Sequence, residues 1–364
     1  MNAIRQLQNL GQSLWLDNIT RELLASGTLA RYIRELGVTG LTSNPSIFEH
    51  ALRNSDAYDQ EIGRKVAEGK SGEALFFELA LADLSRAAAC FLPIFEATAG
   101  TDGWVSLEIS PLLAQDADAS LQAARQLHVQ GECRNLFIKI PGNGAGLAAV
   151  EEAIFVGVPV NITLLFSRQH YLAAAEAYMR GLERRIAAGL DLQVSSVASL
   201  FISRWDVAVA DKVPPAYHNR LGIAVGMSVY AAYREVLASP RWQKLAAAGA
   251  RPQRLLWAST GTKDPAARDT LYVEALAAAD TINTLPENTL LAFAEYGQAT
   301  RVLPLESGQG DACLAEFEGL GIDIELLAAD LQRDGTAAFA RSWGELMARV
   351  AAKSASLANH PTPE

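Results

Sequence analysis

Short hydrophobic runs alternate along the chain with longer segments whose apolar residues recur at helical spacing. Runs of the first kind are typical of β-strands, and segments of the second kind are typical of amphipathic α-helices. The pattern predicts strands at 13–17, 38–42, 104–109, 135–140, 159–166, 192–199, 254–260 and 280–285. Strands separated by helices pair in parallel through right-handed crossovers, so the chain is predicted to be an α/β protein.

The number of strand–helix repeats favours one closed barrel over two open sheets. A (β/α)8 TIM barrel needs eight such repeats, and no linker or change of composition divides this chain into halves. We therefore predict a single barrel domain over 1–364 with extra helices at about 45–95, 205–248 and 311–353. Residues 354–364 are expected to form a flexible tail.

Several predicted strands have one apolar face and one polar face. Successive side chains of a strand point to opposite sides, and the intervening helices must cover the apolar side. The polar side chains should then point into the barrel, most of them near its C-terminal end, where barrel enzymes build their active sites. An antiparallel sheet with one solvent-exposed face would show the same alternation, but the helices predicted between the strands argue against such a sheet. The side chains concerned are Asp17, Glu108, Lys139, Asn161 and Thr163.

Lys139 lies within the apolar run "NLFIKIP". An ammonium group in an apolar interior must find a partner, reach water or release its proton, so an ion pair or a strand-end lysine is one interpretation. The other is a neutral amine, which is a nucleophile and forms a Schiff base with a carbonyl compound. Carboxylates such as Asp17 and Glu108 could carry out the accompanying proton transfers. Together these groups favour carbon–carbon bond chemistry through an imine.

Charge and composition exclude several other functions. The chain has 31 Lys plus Arg against 41 Asp plus Glu, a net charge of −10, and no basic run, so nucleic-acid binding is disfavoured. Neither a targeting segment nor an apolar run of membrane-span length stands out, so we expect a cytoplasmic protein without a membrane partner. The three cysteines and five histidines show no ligand spacing, so no metal site is predicted.

Seven segments, in order, resemble the transaldolase family over about Leu14 to Leu291: "LWLDNI", "GVTGLTSNPSIF", "DGWVSLEISP", "NLFIKIP", "GVPVNITLLFS", "LWASTGTK" and "DTINTLP". The resemblance implies an aldolase-type barrel, without metal or organic cofactor, that moves a dihydroxyacetone unit between sugar phosphates. It also implies that Lys139 forms the Schiff base and that Asp17 acts on the C4 hydroxyl. Glu108 would then work through a water molecule held partly by Thr163.

The resemblance also matches residues that would bind the substrate. Asn44 and Asn161 match the asparagines that bond the dihydroxyacetone hydroxyls, and Ser199 matches a serine beside them. Taken alone, Asn44 before Pro45 is more typical of a turn, and Ser199 is more typical of a helix cap. The family-like segments occur in the family's order along the chain, and this order favours the functional interpretation of both residues.

A phosphate site is expected after the sixth and seventh strands. Arg204 offers a planar fork of donors, and Ser259 and Lys263 lie in "ASTGTK", a turn of small residues expected to expose backbone N–H groups before the next helix. The resemblance matches Arg204 and Ser259 to phosphate ligands. Gly261 stands where many transaldolases have an arginine, so whether Lys263 replaces that charge is open. Gly142 and Asn143 also depart from the family pattern, beside the predicted site.

Three other functions stay open on the sequence. A fructose 6-phosphate aldolase is the nearest, but those chains are shorter and use a tyrosine where this one has Glu108 and Phe201. An isomerase on the same fold would not require Lys139 in the lumen, and a non-catalytic sugar-phosphate-binding barrel is the third. The apolar helix face over 322–352 either seals the barrel or meets a second subunit, so a homo-oligomer is also left open.

Overall fold

The computed structural model describes residues 3–299 and 302–359. Its strands pair in parallel, each with the next in the chain, and the last pairs with the first to close a barrel. The predicted (β/α)8 barrel with additional helices is confirmed. The strands are β1 Ser13–Asp17, β2 Val38–Thr42, β3 Val105–Glu108, β4 Leu136–Pro141, β5 Val160–Leu165, β6 Ser196–Phe201, β7 Arg254–Ala258 and β8 Ile282–Leu285.

Helices surround the barrel and cover its C-terminal end. They are α1 Ala3–Leu10, α2 Arg21–Ala25, α3 Thr28–Leu36, α4 Pro45–Asn54, α5 Asp59–Ala67, α6 Gly72–Ala97, α7 Ala117–Gly131, α8 Gly144–Phe155, α9 Arg168–Ala187, α10 Ser203–Val209, α11 Leu221–Ala238, α12 Pro240–Ala247, α13 Leu271–Ala275, α14 Glu287–Tyr296, α15 Gly308–Gly319 and α16 Ile324–Asn359, with 3₁₀ turns at Pro111–Leu113 and Pro215–Tyr217.

The C-terminal helix differs from the expectation at its end. A flexible tail was expected from residue 354, but α16 continues to Asn359. Residues 360–364 of that tail lie outside the described residues. The assignment of 1–364 to one domain stays a prediction.

The sixth strand is displaced from its predicted position. It was expected at 192–199, whereas β6 begins at Ser196 and ends at Phe201. Ser196 pairs with Val160 of β5 and Phe201 with Ala258 of β7, so pairing with the neighbouring strands decides the bounds. Ser199 is therefore a strand residue and not a helix cap.

The end of β5 departs from the regular alternation. Because Thr163 points inward, regular alternation would turn Leu164 to the outer face, but its φ is +59° and the pairing with β6 is irregular at this point. Left-handed backbone costs a residue with a side chain roughly 1–2 kcal/mol. Gln332 Nε2 of α16 donates to Leu164 O at 2.9 Å and to Gly142 O at 3.2 Å. The C-terminal helix is thus hydrogen-bonded to the strained end of this strand.

Aromatic side chains fill the N-terminal half of the lumen. The rings of Phe137 and Trp104 stack at 4.0 Å, and Trp15 Nε1 donates to Asp102 Oδ1 at 2.7 Å. A Cβ on Gly40 would lie 2.5 Å from the Trp15 indole, so only glycine allows β2 to pass this ring. The open space and the polar side chains are left to the C-terminal half.

One helical segment of the described chain, Pro215–Ala238, has the length and apolar composition of a membrane span. It has 24 residues, and an 18-residue window within it has a mean hydropathy of 1.2, but 61% of that window is buried inside the fold. A Cβ on Gly226 would lie 2.7 Å from Leu276 Cδ2, which shows how tightly α11 packs. Its composition is that of a core helix.

Candidate active site

Parallel register places charged and polar side chains of neighbouring strands side by side. Glu108 of β3 pairs with Lys139 of β4, which in turn pairs with Asn161 of β5. Lys139 Nζ lies 3.5 Å from Glu108 Oε2 and donates to Ser43 O at 3.3 Å. Lys139 is only 5% exposed and Glu108 only 4%. The lysine therefore lies in the lumen, with a carboxylate beside its amine.

Asp17 ends β1 and faces the same space. Thr42 Oγ1 donates to Asp17 Oδ1 at 2.8 Å, and Thr284 Oγ1 lies 2.6 Å from Thr42 Oγ1. Burial raises the pKa of the Asp17 carboxyl, while the charge of Lys139 and the hydrogen bond from Thr42 act in the opposite direction. Asp17 is therefore a carboxyl that can exchange a proton at higher pH than an exposed aspartate.

Glu108 is the second carboxyl with a perturbed environment. Burial raises its pKa to about 7, although the charge of Lys139 opposes the rise. Within the described residues neither of its oxygens has a hydrogen-bond partner, and the same holds for Thr163 Oγ1 on β5. A buried carboxyl with a pKa near neutrality is suited to general acid–base catalysis.

A hydrogen-bonded chain fixes the side-chain amide of Asn161. Ser199 Oγ on β6 donates to Asn161 Oδ1 at 2.6 Å, and Asn161 Nδ2 donates to Ser106 Oγ on β3 at 3.2 Å. All three side chains are buried. The amide is held between two serines of other strands, an arrangement that presents polar groups in a defined orientation.

Asn44 serves as a helix cap and also lines the site. Its Oδ1 accepts from Ile47 N at 3.1 Å and from Ser46 Oγ at 2.6 Å, at the start of α4. The side chain also borders the main cavity. The structural and functional interpretations of Asn44 are therefore compatible, since capping occupies the oxygen and leaves the amide N–H groups.

The main cavity, of about 800 Å³, opens at the C-terminal end of the barrel. This volume suits a small-molecule ligand, and barrel enzymes place their sites at this end. Glu108, Asn161 and Thr163 are buried and do not line it. The predicted site residues that do line it are Asp17, Asn44, Lys139, Ser199, Phe201, Arg204, Ser259 and Lys263.

Arg204 provides a cation without a neutralising carboxylate. In the part of the chain that the structure describes, no acid lies within ion-pair distance of it, and its Cζ lies 5.1 Å from the Phe201 ring centroid. Burial lowers the pKa of the Arg204 guanidinium, and the charge of Glu108 acts in the opposite direction. A partly buried guanidinium with free donors is a ready site for an oxyanion.

The other two predicted phosphate ligands lie in the loop after β7. Ser259 has a φ of +54°, and its Oγ lies 2.9 Å from Ser203 Oγ. Lys263 is exposed, and its Nζ lies 3.8 Å from where a Cβ of Gly261 would be. The next helix, α13, begins at Leu271. The loop between β7 and α13 brings Lys263 to the edge of the cavity.

Sequence reasoning missed several residues of this site, among them two threonines and a phenylalanine. Thr42 and Thr284 line the cavity, and so does Phe339 of α16. Thr42 could have been found, because it occupies the inward position of β2 by the same alternation that located Asp17. Phe339 carried no such signal, since a predicted helix over the barrel does not indicate which of its side chains reach inside.

A closed parallel barrel with a buried lysine beside carboxyl groups at its C-terminal end defines an aldolase-type barrel enzyme. A family model described as Transaldolase/Fructose-6-phosphate aldolase matches residues 14–350. A transaldolase of Thiobacillus denitrificans is 43% identical over 358 residues, covering 96% of this chain and 100% of that protein. The chain belongs to the transaldolase/fructose-6-phosphate aldolase family.

Two further relatives agree with this membership. A transaldolase of Thermobifida fusca is 42% identical over 361 residues, covering 96% of this chain and 98% of its own. A transaldolase of Neisseria meningitidis is 40% identical over 349 residues, covering 96% of this chain and 99% of its own. The similarity therefore extends over nearly the whole length of each protein.

Proposed function

We propose that this enzyme transfers a dihydroxyacetone unit from sedoheptulose 7-phosphate or fructose 6-phosphate to an aldose phosphate, through a Schiff base on Lys139. The aldose would be glyceraldehyde 3-phosphate or erythrose 4-phosphate. Transaldolase activity and sugar-phosphate substrates accord with the family. The observation that carries the Schiff-base proposal is the position of Lys139 Nζ, 3.5 Å from Glu108 and on the wall of the cavity.

The two carboxyls would divide the proton transfers. The Lys139 amine attacks the C2 carbonyl of the ketose, and Glu108, with a pKa of about 7, supplies the proton that lets water leave. In this step a water molecule held partly by Thr163 would carry the proton. The product is a protonated imine, which can accept an electron pair.

Carbon–carbon cleavage follows from that imine. Asp17 removes the proton of the C4 hydroxyl, the bond between C3 and C4 breaks, and its electron pair moves to the imine nitrogen. The aldose phosphate leaves while the three-carbon enamine stays bound to Lys139. An acceptor aldehyde then adds by the reverse steps, which return the proton from Asp17.

The remaining predicted residues would bind the substrate. Asn44, Asn161 and Ser199 would bond the dihydroxyacetone hydroxyls, and Arg204, Ser259 and Lys263 would bind the phosphate. Phe201 provides an apolar wall without a hydroxyl group, which supports transfer over simple aldol cleavage, because no tyrosine oxygen is available there to hold the catalytic water. A cytoplasmic location accords with substrates of this kind.

Trapping with borohydride tests the proposal. The protein is incubated with fructose 6-phosphate, reduced, digested and analysed by mass spectrometry. We expect a reduced adduct on the peptide that contains Lys139, and no transfer to erythrose 4-phosphate by Lys139→Arg. Lys212→Arg, at an exposed position, is the matched control and should keep full activity. An active Lys139→Arg variant, or an adduct elsewhere, would refute the mechanism.

A further inference from the structure

The C-terminal helix brings an aromatic ring to both cations of the proposed reaction. The centroid of the Phe339 ring lies 5.8 Å from Lys139 Nζ and 5.8 Å from Arg204 Cζ. Both distances are within the range of cation–π attraction. We propose that Phe339 is a positioning residue that holds the Schiff-base lysine and the phosphate-binding arginine in place. This inference rests on the proposed function.

Arg204 needs such a support because no carboxylate holds it. In the described residues its guanidinium has aromatic neighbours and no ion pair: Phe201 at 5.1 Å and Phe339 at 5.8 Å. The two rings lie 6.4 Å apart at an angle of 61°. Aromatic faces attract the guanidinium while its in-plane N–H groups stay free to bind a phosphate. A carboxylate in the same place would compete with the phosphate for those donors.

The shape of α16 is matched to this arrangement. Gly335 lies one helical turn before Phe339, and a Cβ there would be 3.2 Å from Arg204 Nη1. Residues four apart share one face of a helix, so this face has a gap at Gly335 and a ring at Phe339. The arginine fits against the gap and beside the ring.

Anchors on both sides hold Phe339 in this position. Gln332 donates to Leu164 O and Gly142 O on one side. On the other side, Trp343 Nε1 donates to Glu73 Oε1 at 2.8 Å. Gln332, Phe339 and Trp343 lie on one face of α16, so the helix cannot rotate about its axis without breaking these contacts. The position of the ring is therefore set by the barrel and by α6 together.

The same ring would act on the reacting nitrogen. When the Lys139 amine becomes a protonated imine, the positive charge lies on Nζ, within reach of the Phe339 ring. The ring attracts that cation, so the charge of the intermediate stays beside an aromatic face. It also covers Lys139, which is 5% exposed.

Three variants test this role: Phe339→Leu removes the ring, Phe339→Tyr keeps it, and Phe155→Leu is the control. The Phe155 ring lies 4.3 Å from Arg184 Cζ and does not line the cavity. Its substitution removes a comparable cation–π contact without disturbing α16. The measurements are KM and kcat with fructose 6-phosphate and with fructose, and the fraction of Lys139 trapped by borohydride.

We expect Phe339→Leu to raise KM for fructose 6-phosphate by roughly 2- to 30-fold, the range that corresponds to one cation–π contact. KM for unphosphorylated fructose should rise less, and the trapped fraction should fall. Phe339→Tyr should restore both. Wild-type values in Phe339→Leu, or the same changes in Phe155→Leu, would overturn the inference. A wild-type protein without any adduct would instead overturn the proposed function itself.

Discussion

Ionised Glu108 should lower the free energy of unfolding at neutral pH, and Glu108→Gln should remove this destabilisation while it lowers the transfer activity. Burial raises the pKa of Glu108 from 4.5 to about 7. The folded state therefore holds this proton more tightly than the unfolded state does. Folding is favoured below about pH 4.5, and that advantage is lost as the pH rises towards 7.

The magnitude follows from the two pKa values. The difference between about 7 and 4.5, at about 1.4 kcal/mol per pKa unit, is about 3 kcal/mol when Glu108 is fully ionised. Most of this loss falls between pH 5 and 8. A glutamine in the same place does not ionise, so its free energy of unfolding carries no such term. The advantage of Glu108→Gln over wild type should thus grow by about 2–3 kcal/mol over this range.

The assay is urea unfolding of both proteins at several pH values, together with transfer activity. Glu318→Gln, at an exposed position, controls for the change in net charge and should follow the wild-type curve. Activity of Glu108→Gln should fall by roughly 10²-fold or more, as for loss of a general acid–base group. A constant difference in unfolding free energy from pH 5 to 8 would show that Glu108 is not held at a raised pKa.

Three further variants probe the site and the barrel. Thr42→Val removes a hydrogen bond that lowers the pKa of Asp17. The acidic limb of the pH profile of kcat/KM should therefore move to higher pH. If the limb does not move, the titration of Asp17 does not determine it. Gly40→Ala places a Cβ 2.5 Å from the Trp15 ring and should destabilise the fold by about 1–3 kcal/mol in thermal unfolding, whereas an unchanged Tm would show that the ring can shift. Lys263→Met should raise KM for fructose 6-phosphate and leave that for fructose unchanged, and equal effects on both would exclude a phosphate contact.

Local pattern was sufficient to predict the barrel and its inward polar face. Strand alternation has a period of two residues, and the helices decide which face is covered, so Lys139 and Glu108 could be placed in the lumen without coordinates. The family motifs added Asn44, Arg204 and Ser259, all of which the structure places on the cavity wall. The roles of these residues stay predictions.

Long-range packing decided the rest. The bounds of β6 follow from pairing with β5 and β7, and the left-handed Leu164 follows from the irregularity at the end of β5. Gln332 reaches Leu164 across 168 residues of sequence, and Phe339 reaches Lys139 across a similar span. Such contacts depend on how one helix lies over a closed barrel, and periodicity within a segment carries no information about it.

The sequence by itself determined the strand order, the chemical groups in the lumen and the family. Only the tertiary structure decided that burial raises the pKa of Glu108 to about 7, and that α16 brings an aromatic ring to the cavity wall. The physical reason is the same for both. Desolvation and contact depend on all atoms that surround a group, and those atoms come from distant parts of the chain.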